Sequence, residues 1–462
     1  MLIDSHAHLN MDPFRDDLDR VLERARAAGV GEILNVGYDP RSIGETIALT
    51  ERYGEVYAAI GIHPHEAKHW SDELEKKIKQ LLLRKKVLAL GEIGLDFYRD
   101  LSPRDVQRDV FRRQIGIACY FDKPIVVHCR DAFRDVIDIL RSEGAMSVGG
   151  IFHAFSGGIE EALEVMELGF LFGIGGPLTY RKSRLPDVAA RLPSSAFLLE
   201  TDCPYLPPVP YRGKRNEPAY VRFTAEKMAE IRGVSVEDIE RAAEVNYRTL
   251  LHGIRDYPTR IAYRLRNNCY LNVTGICTNN CIFCSRLRTV NFLYGYNLNL
   301  VTDPTVDEMI DAARGLIGSG GCGEIVFCGY GEPTARLKEI LDVAAELGTT
   351  GLPLRLNTNG HGNMIHGRNI VPELERHFAT VSVSLNAPDR YTYRELCRPD
   401  AGEGVFDSVV DFIRKAAASR MKCMVTALDY PEVDIERCGA LVRSIPGATF
   451  SVRRYHLSSP VI

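Results

Sequence analysis

Short apolar, β-branched runs alternate with longer segments of helical pattern along the first 205 residues. The runs are Leu2–Ile3, Glu32–Val36, Val56–Ile62, Val87–Ile93, Pro124–His128, Val148–Phe152, Gly169–Ile174 and Phe197–Glu200, with stretches such as Asp17–Ala28 and Asp105–Phe121 between them. Eight such repeats predict an α/β fold, a (β/α)8 TIM barrel. A second series begins near Asn268, with runs at Tyr270–Val273, Glu324–Cys328, Leu354–Asn357, Thr380–Leu385, Lys422–Leu428 and Thr449–Val452. Six units predict a partial, open (β/α)6 barrel. The expected domains are residues 1–253 and 268–462. A short charged linker, 254–267, joins them without a Gly/Ser or Pro-rich spacer.

Composition changes this picture only locally. The net charge is −4, so no global basic field draws the molecule to polyanions, and any nucleic-acid chemistry must rest on a local site. No apolar run approaches the roughly 20 residues of a membrane span. The first residues, Met1–Asp4, lack the pattern of a signal peptide. A cytoplasmic protein without membrane contact is expected. Of the 12 cysteines only Cys119, Cys129 and Cys203 precede residue 260. That skew points to metal or cluster binding in the second half, not to a disulfide framework.

Candidate chemistry in the first series sits where the runs end. His6, His8, His63, Glu92, His128, His153 and Asp202 all fall at or just past the end of a run, on the face where such barrels carry their chemistry. His6 and His8 are two residues apart, so both imidazoles point to the same side of a strand. Glu92 has two oxygens with which to bridge two ions, and His128 and His153 are able to complete a second ion's shell. Imidazole with carboxylate suits Zn²⁺, Mn²⁺ or Fe, and carboxylate-rich sites also accept Mg²⁺. These ligands alone serve an amide, lactone or ester equally well.

Asp4–Asn10, Gly61–His65, Gly91–Tyr98, His128–Ala132, His153–Gly157, Glu200–Tyr205 and Arg212–Pro218, in that order, together resemble the TatD family over about residues 1–253. The resemblance implies two divalent ions and phosphodiester hydrolysis, with exonuclease action on DNA. His6, His8, Glu92 and Asp202 then hold one ion, and Glu92, His128 and His153 the other. Asp202 is the candidate general base. His63 and His65 are phosphate contacts, and Arg212, Lys214 and Arg215 form a compact basic cluster available to phosphate or to solvent. Few aromatics interleave with the basic residues, so base stacking is not expected from sequence. The same dinuclear site also suits an aminoacyl-tRNA ester.

In the second series, Cys277-Thr278-Asn279-Asn280-Cys281-Ile282-Phe283-Cys284 follows a predicted strand. Three thiolates leave one iron of a [4Fe–4S] cluster without a protein ligand. This CxxxCxxC loop and Gly329-Tyr330-Gly331-Glu332-Pro333-Thr334 resemble the radical S-adenosylmethionine (SAM) family. The resemblance implies that Cys277, Cys281 and Cys284 hold the cluster and that Gly329, Gly331, Glu332 and Pro333 belong to the segment binding the methionine amino group. Phe283 lies near the adenine, and Asn357, Asn359 and Ser384 are candidate carboxylate and ribose contacts. It further implies a 5′-deoxyadenosyl radical acting on an unknown substrate and an electron donor such as flavodoxin or ferredoxin. Cys328, Cys397, Cys423 and Cys438 read as core thiols, with Cys397 the one to watch for reactivity. The whole chain resembles radical SAM proteins linked to TatD nucleases.

Overall fold

In the computed structural model, which describes residues 1–284, 292–402 and 404–457, the first series becomes one eight-stranded sheet in chain order. Its strands are β1 (Leu2–Ala7), β2 (Val30–Gly37), β3 (Val56–Ile60), β4 (Val87–Asp96), β5 (Ile125–Arg130), β6 (Gly150–Phe152), β7 (Phe170–Ile174) and β8 (Phe197–Leu199). Every neighbouring pair is parallel. Helices connect them, and side-chain caps start some of these helices where the strand patterns end. Asp39, for example, accepts hydrogen bonds from the amides of Arg41 and Ser42 ahead of the helix Pro40–Arg52.

The ring closes beyond β8. The amide of Asp202 donates to the carbonyl of His6, and that of His8 to the carbonyl of Cys203, both at 2.9 Å. Asp4, wholly buried on β1, reinforces this closure by accepting hydrogen bonds from the Thr201 amide (2.9 Å) and hydroxyl (2.6 Å). Burial pushes the Asp4 carboxyl up to about 8 although those bonds pull the other way. Asp202 is thereby set beside His6 and His8 at the end of β1.

β4 carries a bulge at the bridging carboxylate. Gly91 pairs with Val126 and Ile93 with Val127, so Glu92 is the extra residue, unpaired and free to aim at the ring's mouth. Gly94 follows with φ 143°, and a Cβ there would lie 2.0 Å from the His128 carbonyl oxygen. Only glycine lets β4 and β5 approach this closely.

The second unit, Tyr257–His456, is distinct from the first, Met1–Asp256. Its strands are β9 (Ala262–Leu265), β10 (Asn268–Asn272), a small hairpin of β11 (Phe292–Leu293) and β12 (Tyr296–Asn297), then β13 (Glu324–Cys328), β14 (Leu354–Thr358), β15 (Thr380–Ser384), β16 (Lys422–Leu428) and β17 (Ala448–Arg453). The main sheet runs β17-β16-β15-β14-β13-β10-β9. Its six strands from β10 to β17 are parallel neighbours, the open (β/α)6 arrangement. β9 is an addition. It lies in the stretch read as linker and pairs antiparallel with β10, Tyr263 opposite Tyr270. The outward side chains of this sheet, among them Leu271, Phe327, Leu356, Val383 and Val425, pack in one core with Met309, Ile340, Val409 and Phe412 of the covering helices. Among the described residues no helix is long and apolar enough to cross a membrane.

Candidate metal centre and cluster loop

The strand ends of the first unit bring the sequence-predicted ligands together. Nε2 of His6 and Nε2 of His8 face each other at 3.2 Å. Oδ1 of Asp202 lies 3.7 and 3.4 Å from them, and Oε2 of Glu92 lies 3.5 and 3.9 Å away. Oε1 of Glu92 turns to the other side, 2.7 Å from His128 Nδ1 and 3.4 Å from His153 Nε2. Three donor sets each converge within 4.8 Å: His6–His8–Glu92, His6–His153–Asp202 and His63–Glu92–His128. Glu92 thus stands between two donor groups with one oxygen for each.

The electrostatics of this pocket fit a cation. Burial works against charge on every group, yet the histidines His153 and His63, with hydrogen bonds from His128 and His6, hold the Glu92 carboxyl well below the usual range. Burial would also lower His153, but Glu92, Glu200 and Asp202 overcome it and push the imidazole up to about 10. A buried carboxylate group that drags imidazoles toward protonation is a donor set short of positive charge, which divalent ions supply.

Two carboxylates without an assigned role in the sequence reading orient these ligands. Asp96, buried at the end of β4, lies 2.9 Å from His65 Nε2 and 3.1 Å from His128 Nε2, and it accepts from the amides of Tyr98 and Arg99. Glu200 accepts from the Ala154 amide at 2.7 Å and lies 3.3 Å from His153 Nδ1. Such outer carboxylates fix the ring orientation of metal-binding histidines. Both were present in the motifs as letters, but their partners are over 30 residues away in sequence, so no local pattern marks them.

The expected phosphate contacts divide. His63 Nδ1 accepts the His65 amide at 3.1 Å, which leaves the ring proton on Nε2, 3.7 Å from Glu92. That tautomer makes His63 a hydrogen-bond donor to a substrate oxygen and argues against direct ligation. His65 does not follow the sequence reading, because its Nε2 is committed to Asp96. Arg215 departs from it too: its guanidinium makes two 2.8 Å bonds to Asp17 and stacks on Phe14. Arg212 instead lies 4.3 Å from the centre of the Tyr180 ring, Lys214 lies 5.6 Å from that of Tyr211, and Arg130 lies 4.1 Å from that of Tyr98. Aromatic and basic side chains that do not interleave in sequence are therefore paired in space.

In the second unit the cysteine loop is held by its backbone. The amides of Asn280 and Ile282, either side of Cys281, donate to the carbonyls of Cys397 and Leu396 at 3.0 Å. The Thr278 hydroxyl lies 2.7 Å from His361 Nδ1, Asn279 donates to the Tyr393 hydroxyl at 3.0 Å, and His361 Nε2 lies 2.8 Å from that same hydroxyl. Burial lowers His361 to about 4, so this network is built on a neutral imidazole. Cys277, Cys281 and Cys284 remain partly exposed within eight residues, a donor set of three sulfurs that fits a [4Fe–4S] cluster. Cys397 is buried; a hydrogen bond with the Cys281 thiol and burial push it well above the usual thiol range. Its burial agrees with the reading of Cys397 as a core thiol.

The glycine-rich segment packs on the approach to this loop. A Cβ on Gly329 would lie 2.6 Å from the Thr274 carbonyl oxygen, and one on Gly331 would lie 2.1 Å from that of Ile276. Pro333 is buried at the start of a short turn, Pro333–Arg336. The Glu332 carboxylate is fully engaged, accepting from the Thr334 amide and hydroxyl, the Thr358 hydroxyl and the Asn359 amide at 2.6–2.9 Å. These bonds tie Glu332 to the loops that follow β13 and β14. Asn359 likewise donates to Thr278 Oγ1 at 3.1 Å and lies 4.0 Å from Cys277 Sγ. Phe283 sits 5.5 Å from the Tyr430 ring, Ser384 accepts from Arg453, and Asn357 Oδ1 is buried without a partner.

Comparison with known proteins agrees with both halves. Residues 3–252 match the family model described as TatD related DNase, and residues 271–445 match the Radical SAM superfamily. The uncharacterized metal-dependent hydrolase YabD of Bacillus subtilis (strain 168) is 45% identical over 251 residues, covering 54% of this chain and 98% of YabD. The 3′-5′ ssDNA/RNA exonuclease TatD of Klebsiella pneumoniae (strain 342) is 32% identical over 255 residues, covering 54% of this chain and 97% of that protein. Among solved structures, the TatD homologue YjjV of Escherichia coli K12 superposes with a TM-score of 0.52 at 33% identity, over 54% of this chain and 98% of its own. These matches imply divalent metal ions for the first unit, and SAM with a [4Fe–4S] cluster for the second. The chain belongs to the TatD related DNase family, and it carries a radical SAM domain behind its metal-dependent hydrolase domain.

Proposed function

We propose that the first unit is a phosphodiesterase that removes nucleotides from the end of a nucleic acid, and that the second generates a 5′-deoxyadenosyl radical for an attack on a separate small substrate. The observation that carries the first reading is Glu92, whose two oxygens each face a separate group of imidazoles. In this reading His6, His8, Glu92 and Asp202 would hold one ion, and Glu92, His128 and His153 the other. Divalent ions bound there supply Lewis acidity to the attacking water and to the phosphate. Asp202, beside His8 at the ring's closure, accepts the proton of that water. His63, with its proton on Nε2, donates to a phosphate oxygen. The Arg212–Tyr180 and Arg130–Tyr98 pairs favour a polyanion with exposed bases, as charge and ring are offered together.

For the second unit, Cys277, Cys281 and Cys284 hold the cluster, and the segment from Gly329 to Pro333 shapes the adjoining wall. Bound SAM and cluster supply a carbon radical when a protein such as flavodoxin or ferredoxin delivers one electron. The test is direct. End-labelled single-stranded DNA is incubated with full-length protein and Mg²⁺, Mn²⁺ or Zn²⁺, with charged tRNA as the parallel substrate. A ladder from one end, abolished by EDTA, is expected; ester cleavage of the charged tRNA with intact DNA would reassign the site. Anaerobically reconstituted protein, reduced in the presence of SAM, is expected to release 5′-deoxyadenosine.

A further inference from the structure

The two faces of the second unit's sheet differ in kind. Parallel sheets are usually apolar on both faces. Here the outer face is apolar, but alternate inward positions carry Arg355 and Asn357 on β14, Ser384 on β15, Thr426 on β16 and Arg453 on β17. Ser384 and Thr426 are aligned in register. Arg453 reaches across β16 to donate to the Ser384 hydroxyl at 2.7 Å.

Several atoms of these groups lack a hydrogen-bond partner. Arg355 Nε, Asn357 Oδ1 and Thr426 Oγ1 are all buried with no hydrogen bond. A buried polar atom left bare costs about 1–3 kcal/mol, so three on one face mark a surface shaped for something polar. The charge is unbalanced as well. Arg355 has one carboxylate, Glu324, at 3.2 Å, and the Tyr270 hydroxyl at 3.5 Å. Among the described residues Arg453 has no carboxylate within ion-pair distance. Its side chain stays open to solvent, as expected for a group on the wall of a concavity. Among the described residues, two guanidiniums therefore share this wall with one ion-paired carboxylate, Glu324. A planar guanidinium fork matches the geometry of carboxylate or phosphate oxygens.

We propose that this inner face binds the acidic group, a carboxylate or a phosphate monoester, of the radical unit's small-molecule substrate, with Arg453 and Arg355 as the two forks and Ser384, Asn357 and Thr426 as its polar lining. The assignment rests on the reading of this unit as the radical domain. Nucleotides released by phosphodiester hydrolysis are one class that carries such a group.

Calorimetric binding tests it in full-length, cluster-reconstituted protein without reductant, so that neither turnover nor the radical reading affects the outcome. The probes are deoxyadenosine 5′-monophosphate, glutamate, neutral deoxyadenosine and SAM. Arg453→Gln is expected to weaken one binding event for the monophosphate or for glutamate by about tenfold or more, with SAM affinity within about twofold of wild type. Loss with the monophosphate alone identifies a phosphate ester, and loss with glutamate alone a carboxylate. Arg355→Lys, which keeps a cation opposite Glu324, is expected to weaken the same event less. Arg453→Lys should recover part of the loss. Unchanged binding of both acids in Arg453→Gln, or a parallel fall in SAM affinity, overturns the proposal; in the second case the pair serves the cofactor's own carboxylate. Hydrolysis of DNA by the same variants reports on the first unit separately.

Discussion

The metal centre of the first unit and the cysteine loop of the second are built in opposite ways. The former draws its candidate ligands from the end of β1, from β4 and β5 and from the segments after β6 and β8, and so from nearly 200 residues of chain. The latter draws all three sulfurs from eight consecutive residues. A site collected across a ring exists only once the ring has closed, and its geometry is set by strand register, by the β4 bulge and by the pairing of residues 202 and 203 with β1. A site within one loop has its ligands together from the start and needs tertiary structure only to hold the loop's shape, which here falls to His361, Tyr393 and the carbonyls of Leu396 and Cys397.

This contrast can be broken most severely by removing one ligand from each site. Asp202→Asn is expected to lower kcat for DNA hydrolysis by about 10²–10⁴-fold, the range for a lost general base. The cluster's absorbance should be unchanged. Cys281→Ala should abolish 5′-deoxyadenosine formation and leave hydrolysis at the wild-type rate; loss of both activities in a folded variant would show that the two sites are not independent. Next in size, Asp96→Asn frees His65 and His128 from their shared anchor. Metal affinity, measured by titration of the metal-free protein, should fall about 10–100-fold.

A smaller effect tests the loop's tertiary support. His361 is held neutral, with its value lowered from 6.5 to about 4. The unfolded chain therefore takes up a proton that the folded chain refuses as pH falls below about 6.5. Stability is complete above that value, declines toward pH 4 and levels off below it. Between pH 7 and pH 5 the loss should be about 2 kcal/mol, read from the denaturant transition of the second unit, and His361→Gln should flatten the slope. Smallest of all, Arg215→Gln should cost about 0–1 kcal/mol of stability, as for other partly exposed ion pairs. It should leave the Michaelis constant for DNA unchanged, whereas Arg212→Gln should raise it.

Legibility followed the same division. The CxxxCxxC loop was readable because its ligands are local. His6 and His8 were readable because a period of two fixes their common side. Glu92 was identified as a bridging carboxylate, although the bulge that frees it was not foreseen, since a bulge is a relation between two strands. Asp96 and Glu200 escaped because a carboxylate that orients a distant histidine leaves no periodic trace. β9 escaped for a related reason: Ala262-Tyr263-Arg264-Leu265 is too short to read as a strand, and only pairing with β10 makes it one.

Alternation of apolar and helical segments determined the two α/β units and the end of the strands that carries chemistry, because strand and helix periods are properties of consecutive residues. Which donors converge on which oxygen of Glu92, that His63 Nδ1 accepts the His65 amide, that Arg215 is consumed by Asp17, and that Arg453 meets Ser384 across β16 were decided by tertiary structure alone. Each depends on the direction of a side chain relative to a partner far away in sequence, and that direction exists only after strands have chosen their register.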